Sequence, residues 1–132
     1  MRRFHSVTGE GGDSDLKFTV TIKHNHEFQR LYRRGKSAAA PCLALYCRKN
    51  RLPGNRLGFT VGKKVGCAVQ RNRVRRRLRE IYRLHEGELR LGYDIVVVAR
   101  VRAVYAGYRQ LERQFLTAAG RLGLLRKEGE EA

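Results

Sequence analysis

The sequence has no tryptophan, one methionine and two prolines among its 132 residues. Its three cysteines, Cys42, Cys47 and Cys67, form no C-x-x-C pair and no Cys/His cluster at zinc spacing, so no metal-binding site is expected. Cys42 and Cys47 are an odd number of residues apart on an expected strand; they should point to opposite faces and not bond. Three unpaired thiols suit a reducing cytoplasm, each as a small buried apolar residue. No apolar run approaches the ~20 residues of a membrane-spanning helix, and the opening "MRRFHSVTGEGGDSD" lacks the apolar stretch of a secretory signal. The scarcest property is negative charge. Twelve Asp and Glu face 29 Lys and Arg, for a formal net charge of +17. Six of those acids (Glu10, Asp13, Asp15, Glu128, Glu130 and Glu131) lie near the ends, leaving the body from Leu16 to Lys127 at +21. A compact body of that charge repels itself, so a polyanion is the natural partner. Nucleic acid is one such partner; an anionic membrane met by a basic amphipathic helix is the other.

With 42% apolar residues, the chain has enough material for one modest core. Residues 1–15 are rich in Gly, Ser and Asp without periodicity and read as a flexible tail. A single domain is expected over 16–125, with a charged tail at 126–132. "NHEFQRLYRRG" reads as a helix capped by Asn25 and stopped by Gly35, with Phe28, Leu31 and Tyr32 on one face. "AAAPCLALYCRKN" and "RLGFTVGKKV" read as strands joined through a Pro53-Gly54 type II turn, hence an antiparallel hairpin. On the first, Cys42, Ala44 and Tyr46 face one way and Leu43, Leu45 and Cys47 the other. "YDIVVVARV" is a third strand whose unbroken apolar run indicates burial on both faces and a central position. A last helix carries Tyr108, Leu111, Phe115, Ala118, Ala119 and Leu122 at helical spacing. The expected fold is α+β: a two-layer α/β sandwich of one about four-stranded sheet and three helices, in the order α-β-β-α-β-α.

Between these strands lies "QRNRVRRRLRE", in which six of eleven residues are arginine. With Val74 at zero and ~100° per residue, Leu78, Ile81 and Tyr82 fall within about 80° of it and form an apolar stripe for the sheet. Asn72, Arg73, Arg76, Arg79 and Arg83 fall on the opposite side, flanked by Arg71, Arg75 and Arg77. Lys63 and Lys64 add charge just ahead of the helix, and Glu80 is the single acid on the ladder. Like charges four residues apart repel by a few tenths of a kcal/mol per pair. A solvated face of this kind usually mixes signs, and this one hardly does. Arginine's planar fork holds phosphate bidentately and stacks on bases, while the deep groove of A-form RNA excludes side chains. The helix is therefore suited to RNA shape and backbone.

The stretch "LGFTVGKKVGCAVQRNRVRRRLREIY" resembles the signature of the bacterial ribonuclease P protein subunit. That pattern, V-x-K-K-x-G-x-A-V-x-R-N-R-x-[KR]-R, is carried by Val61, Lys63, Lys64, Gly66, Ala68, Val69, Arg71, Asn72, Arg73, Arg75 and Arg76. The likeness extends from about Val20 to Leu125. Thr21 and Cys67 stand where the family often has basic or polar residues. The resemblance implies a cytoplasmic protein that binds a large catalytic RNA and helps it remove the 5′ leader of precursor tRNA. The chemistry would belong to the RNA and its bound Mg2+, with no catalytic residue and no tightly held metal on the protein. It implies a left-handed βαβ crossover around the arginine helix, where the general connectivity rule gives a right-handed one. It also implies catalytic-RNA contacts at Lys63, Lys64, Arg71, Asn72, Arg73, Arg75, Arg76 and Arg79. A cleft for the single-stranded leader would be lined by Phe28, Tyr32 and Tyr46; read from the residues alone, packing of all three in the core is the favoured account.

Two rivals remain at this level. A protein nuclease would need a general base and acid, or paired carboxylates for metals. Of the acids in the body only Glu86 and Glu88 are close in sequence, in an expected loop, and His24, His26 and His85 show no partner at catalytic spacing. A generic structured-RNA binder would share the charge without requiring R-N-R spacing together with an aromatic cleft.

Overall fold

The computed structural model describes residues 16–126; the expected tails at 1–15 and 126–132 lie outside the described residues except for Arg126, whose N–H bonds the Glu88 carbonyl at 2.8 Å. The helices are α1 (Asn25–Arg34), α2 (Ala68–His85) and α3 (Tyr108–Arg121). The strands are β1 (Thr19–Thr21), β2 (Lys36–Ala39), β3 (Leu43–Lys49), β4 (Asn55–Thr60) and β5 (Tyr93–Ala99). They form one mixed sheet in the order β1-β4-β5-β3-β2, in which β1, β4 and β5 are mutually parallel and β3 runs antiparallel to β5 and β2.

The sheet has five strands rather than about four, because two short edge strands carry little sequence signal. The stretch read as one strand from Ala38 is a β2–β3 hairpin broken at Pro41, which has no N–H for a ladder. The expected β3–β4 hairpin does not form. β5 lies between those strands, with Tyr46 opposite Val96 on one side and Gly58 beside Val96 on the other. A turn between two strands shows that they follow one another, not that they pair. Nor does Pro53-Gly54 make a type II turn: the positive φ in this loop is at Arg51, where φ is 62°, not at Gly54. Helix α1 starts at Asn25 with His24 as its N-cap, one residue earlier than expected.

β5 is central, as its apolar run indicates. Ile95, Val97 and Ala99 point into the main core with Leu43, Leu45 and Cys47 of β3, Leu57 and Phe59 of β4, and the apolar stripes of α2 and α3. Val96 points the other way, into a second cluster with Ile22, Phe28 and Leu31, against which Tyr32, Tyr46 and Val98 pack. The two-layer expectation is therefore corrected: α2 and α3 cover one face and α1 covers part of the other. Cys42 precedes β3, outside the strand's alternation, and joins Cys47 in the main core; both are free thiols, and Cys67 is exposed rather than buried.

A buried polar network closes the far end of α2. Glu86 is 4% exposed and accepts hydrogen bonds from the backbone N–H of Lys17 and Phe18, each at 2.8 Å, and from Thr19 Oγ1 at 2.6 Å. Thr19 Oγ1 lies 2.8 Å from the hydroxyl of Tyr82, whose pKa burial pushes up to about 12. Asn55 donates to the Arg90 carbonyl and accepts from the Tyr93 N–H. The charge of a buried carboxylate is tolerated only when its lone pairs are occupied, and here Glu86 pins β1 to the end of α2.

Candidate nucleic-acid interface

The helical wheel for α2 matches the folded protein: Val74, Leu78, Ile81 and Tyr82 are at most 1% exposed. The helix begins after a short 3-10 turn at Lys63–Val65, in which Val65 is buried and both lysines are exposed. Gly66 leaves space that a Cβ would take from the Gln70 side chain. Gln70 Oε1 uses that space to accept the Cys67 N–H at 2.9 Å, tying off one orphan donor of the first turn. Cys67 thus serves as the N-cap position. Its thiol pKa is lowered by the backbone N–H of Gln70 and further by the Arg71 charge.

The arginines divide into two sets. Arg71 Nε donates to the Gly66 carbonyl at 3.1 Å, Arg75 to Asn72 Oδ1 at 2.9 Å, Arg77 to the Ala106 carbonyl at 3.3 Å, and Arg83 bidentately to Glu80. These bonds hold side chains in place. The side chains of Arg73, Arg76 and Arg79 make no hydrogen bond or ion pair with any other described residue, and Arg73 Nε and Arg79 Nη2 are shielded from solvent as well. A guanidinium N–H without an acceptor is costly, and an incoming anion would lower that cost. The structure brings Lys63, Lys64, Arg71, Asn72, Arg73, Arg75, Arg76 and Arg79 together on α2 and the turn before it.

The aromatic trio lies on the other sheet face. Phe28 is buried, its ring over Gly58, where a Cβ would come within 2.6 Å of ring carbons. It forms the floor of this face. Tyr32 and Tyr46 are half-buried and meet edge to face, with centroids 5.1 Å apart and planes at 72°. The Tyr32 hydroxyl is 2.6 Å from Thr60 Oγ1, and burial raises its pKa. Thr60 was missed from the sequence, although alternation in "RLGFTV" carries the signal: Leu57, Phe59 and Val61 take the main core, so Thr60 faces α1. The position of α1 is fixed by Arg56, which bonds Asp94 bidentately at 2.8 and 2.6 Å and reaches Glu27 at 2.6 Å. Burial opposes ionisation of Glu27, yet the Arg56 hydrogen bond and charge hold its pKa below the usual value. These partners are 29 and 38 residues apart, beyond any spacing rule.

His85 does have carboxylate partners, contrary to the sequence expectation. Its ring nitrogens lie 3.0 Å from Glu88 Oε2 and 2.7 Å from Glu112 Oε2. His24 and His26 stack on each other, exposed at the start of α1. Among the described residues no helix is long and apolar enough to cross a membrane.

A profile of the Ribonuclease P family matches residues 16–123. The ribonuclease P protein component of Natranaerobius thermophilus is 44% identical over 108 residues, or 82% of this chain and 94% of that one. The corresponding protein of Alkaliphilus metalliredigens is 39% identical over 104 residues, covering 79% and 94%. The solved RNase P protein of Staphylococcus aureus superposes with a TM-score of 0.74 at 33% identity, over 80% of this chain and 97% of that one. That of Thermotoga maritima gives 0.68 at 29% identity, over 74% and 92%.

Proposed function

Because this chain belongs to the ribonuclease P protein family, and so is a tRNA-processing subunit of an endoribonuclease that associates with ribonuclease P RNA, we propose that it works as a two-sided clamp. α2 and the Lys63–Val65 turn hold the catalytic RNA. The face between α1 and the sheet takes the 5′ leader of precursor tRNA. The phosphodiester is cut by the RNA with Mg2+ that the RNA holds, and the protein contributes no catalytic residue. Its place of work is the cytoplasm. The crossover from β4 through α2 to β5 is expected to be left-handed, as in the family.

The observation that carries this reading is the set Arg73, Arg76 and Arg79, whose side chains have no partner among the described residues, on a helix whose opposite side is locked into the core. A fixed row of cations positions a phosphate backbone without demanding sequence. On the other face, Tyr32 and Tyr46 offer ring surface for unpaired bases, and stacking tolerates any base, at ~1–3 kcal/mol each. Phe28 supports them from below. A subunit that meets many leaders needs that tolerance.

The test is reconstitution at low Mg2+ with transcribed ribonuclease P RNA and precursor tRNA. The protein alone should leave the precursor intact, the RNA alone should cut slowly, and the two together should release the leader quickly. Cleavage by the protein alone would instead assign the chemistry to the chain.

A further inference from the structure

Tyr105 is the most exposed large apolar side chain among the described residues, at 83%, and neither RNA surface above includes it. It does not sit on a loose loop. It closes the 3-10 turn Val101–Val104, where its N–H bonds the Arg102 carbonyl at 3.1 Å. The residues on either side are anchors: Ala103 is 0% exposed, Val104 9% and Ala106 7%. The chain therefore spends buried contacts on holding a phenol ring out in water.

The surroundings of that ring are cationic. The Val101–Val104 turn packs against the Lys63–Val65 turn and against α2. The Arg77 guanidinium bonds the carbonyl of Ala106, the next residue, which places Tyr105 at the flank of the arginine ladder. Arg102 is exposed on the same turn. All six acids of the described residues are engaged elsewhere. Glu27 and Asp94 hold Arg56, Glu80 holds Arg83, Glu88 and Glu112 hold His85, and Glu86 holds the backbone before β1. An exposed aromatic ring, carried by a backbone anchored at Ala103, Val104 and Ala106 and set beside cations that no described acid pairs with, has the composition of a single-strand stacking platform: charge draws the backbone in and the ring takes the base.

We infer that Tyr105 is a stacking site for an unpaired nucleobase of the catalytic RNA, beside the phosphate-binding ladder of α2. This rests on the α2 reading above. It adds a contact of a different kind, one with a nucleobase rather than with phosphate. The ladder and Tyr105 then require different RNA features: helical backbone for the arginines and a bulged or looped-out nucleotide next to it for the ring.

The experiment compares Tyr105→Ala, Tyr105→Leu and Tyr105→Trp with an Arg73→Ala/Arg76→Ala reference, measuring affinity for transcribed ribonuclease P RNA across a salt series. Thermal melting should be unchanged for the Tyr105 variants, since the side chain is in solvent. Ala and Leu should each weaken binding roughly tenfold, and Trp should keep it, because the ring and not its bulk is what stacks. The salt slope of the Tyr105 variants should match wild type, since a neutral ring releases no counterion, whereas the arginine reference should show a shallower slope. Wild-type affinity for both Ala and Leu, with the reference impaired, overturns the Tyr105 assignment and leaves the α2 reading standing. Wild-type affinity for the reference overturns the α2 reading and this inference with it. A loss seen only in capture of precursor tRNA by the preassembled holoenzyme would move the base to the substrate and overturn the assignment. So would loss of self-association on Tyr105→Ala with RNA affinity intact, which would make the ring a contact between copies of the chain.

Discussion

Leu78 lies 1% exposed in the cluster that also holds Ile95 and Phe115, so truncation leaves a hole that its neighbours cannot close. Leu78→Ala should cost ~2–5 kcal/mol in urea unfolding through lost burial and the residual cavity. Glu86 is a different kind of core residue, serving two backbone N–H groups and one hydroxyl. Glu86→Ala leaves those donors without an acceptor, and even one orphaned donor costs ~1–3 kcal/mol. The signature should be local: the Lys17 and Phe18 amides should lose protection from hydrogen exchange ahead of the rest of the sheet. Leu78 was legible in the sequence because helical period alone separates the inside of α2 from its outside. Glu86 was not, since it reads as a loop acid until β1 arrives from 67 residues away.

At the scale of elements, α2 and α3 are clasped where His85 sits between Glu88 and Glu112. Burial pulls the His85 pKa down, but the hydrogen bonds and charges of the two carboxylates outweigh it and raise the pKa above the ordinary 6.5. A raised folded-state pKa means that the clasp is fully effective below pH ~6.5 and fades as pH rises through the elevated value. His85→Gln should therefore flatten the stability decline on the alkaline side of 6.5, as followed by melting temperature against pH. An unaltered decline would show that this contact does not couple the helices. α2 also predicts its own salt dependence: Arg73→Ala/Arg76→Ala should reduce the slope of log affinity against log salt by ~0.7–0.9 per lost phosphate contact, without loss of fold. The sequence identified α1, α2, α3 and the three long strands, because each is long enough for its period to show. It missed β1 and β2, which are three and four residues long. It also paired β3 with β4, since only the folded sheet shows β5 inserted between them.

In the proposed reading, the sheet separates two binding tasks at the scale of the whole molecule. Main-core side chains of β3, β4 and β5 fix α2 on one face, and the Arg56 brace fixes α1 on the other. The charge imbalance that suggests a polyanion is legible from composition; the division into two faces needs the alternation of β5, whose Val97 and Val96 serve opposite cores. The direct test of that division is binding of precursor tRNA to the assembled holoenzyme with Tyr32→Ala, measured across leader lengths. Long-leader precursor should bind more weakly than to wild type, by the ~1–3 kcal/mol of one stacked base. Mature tRNA, precursor with a leader of one or two nucleotides, and assembly with the catalytic RNA should be unaffected. Equal losses for precursor and mature tRNA, or impaired assembly, would contradict the account by placing Tyr32 in the core or on the RNA-holding face.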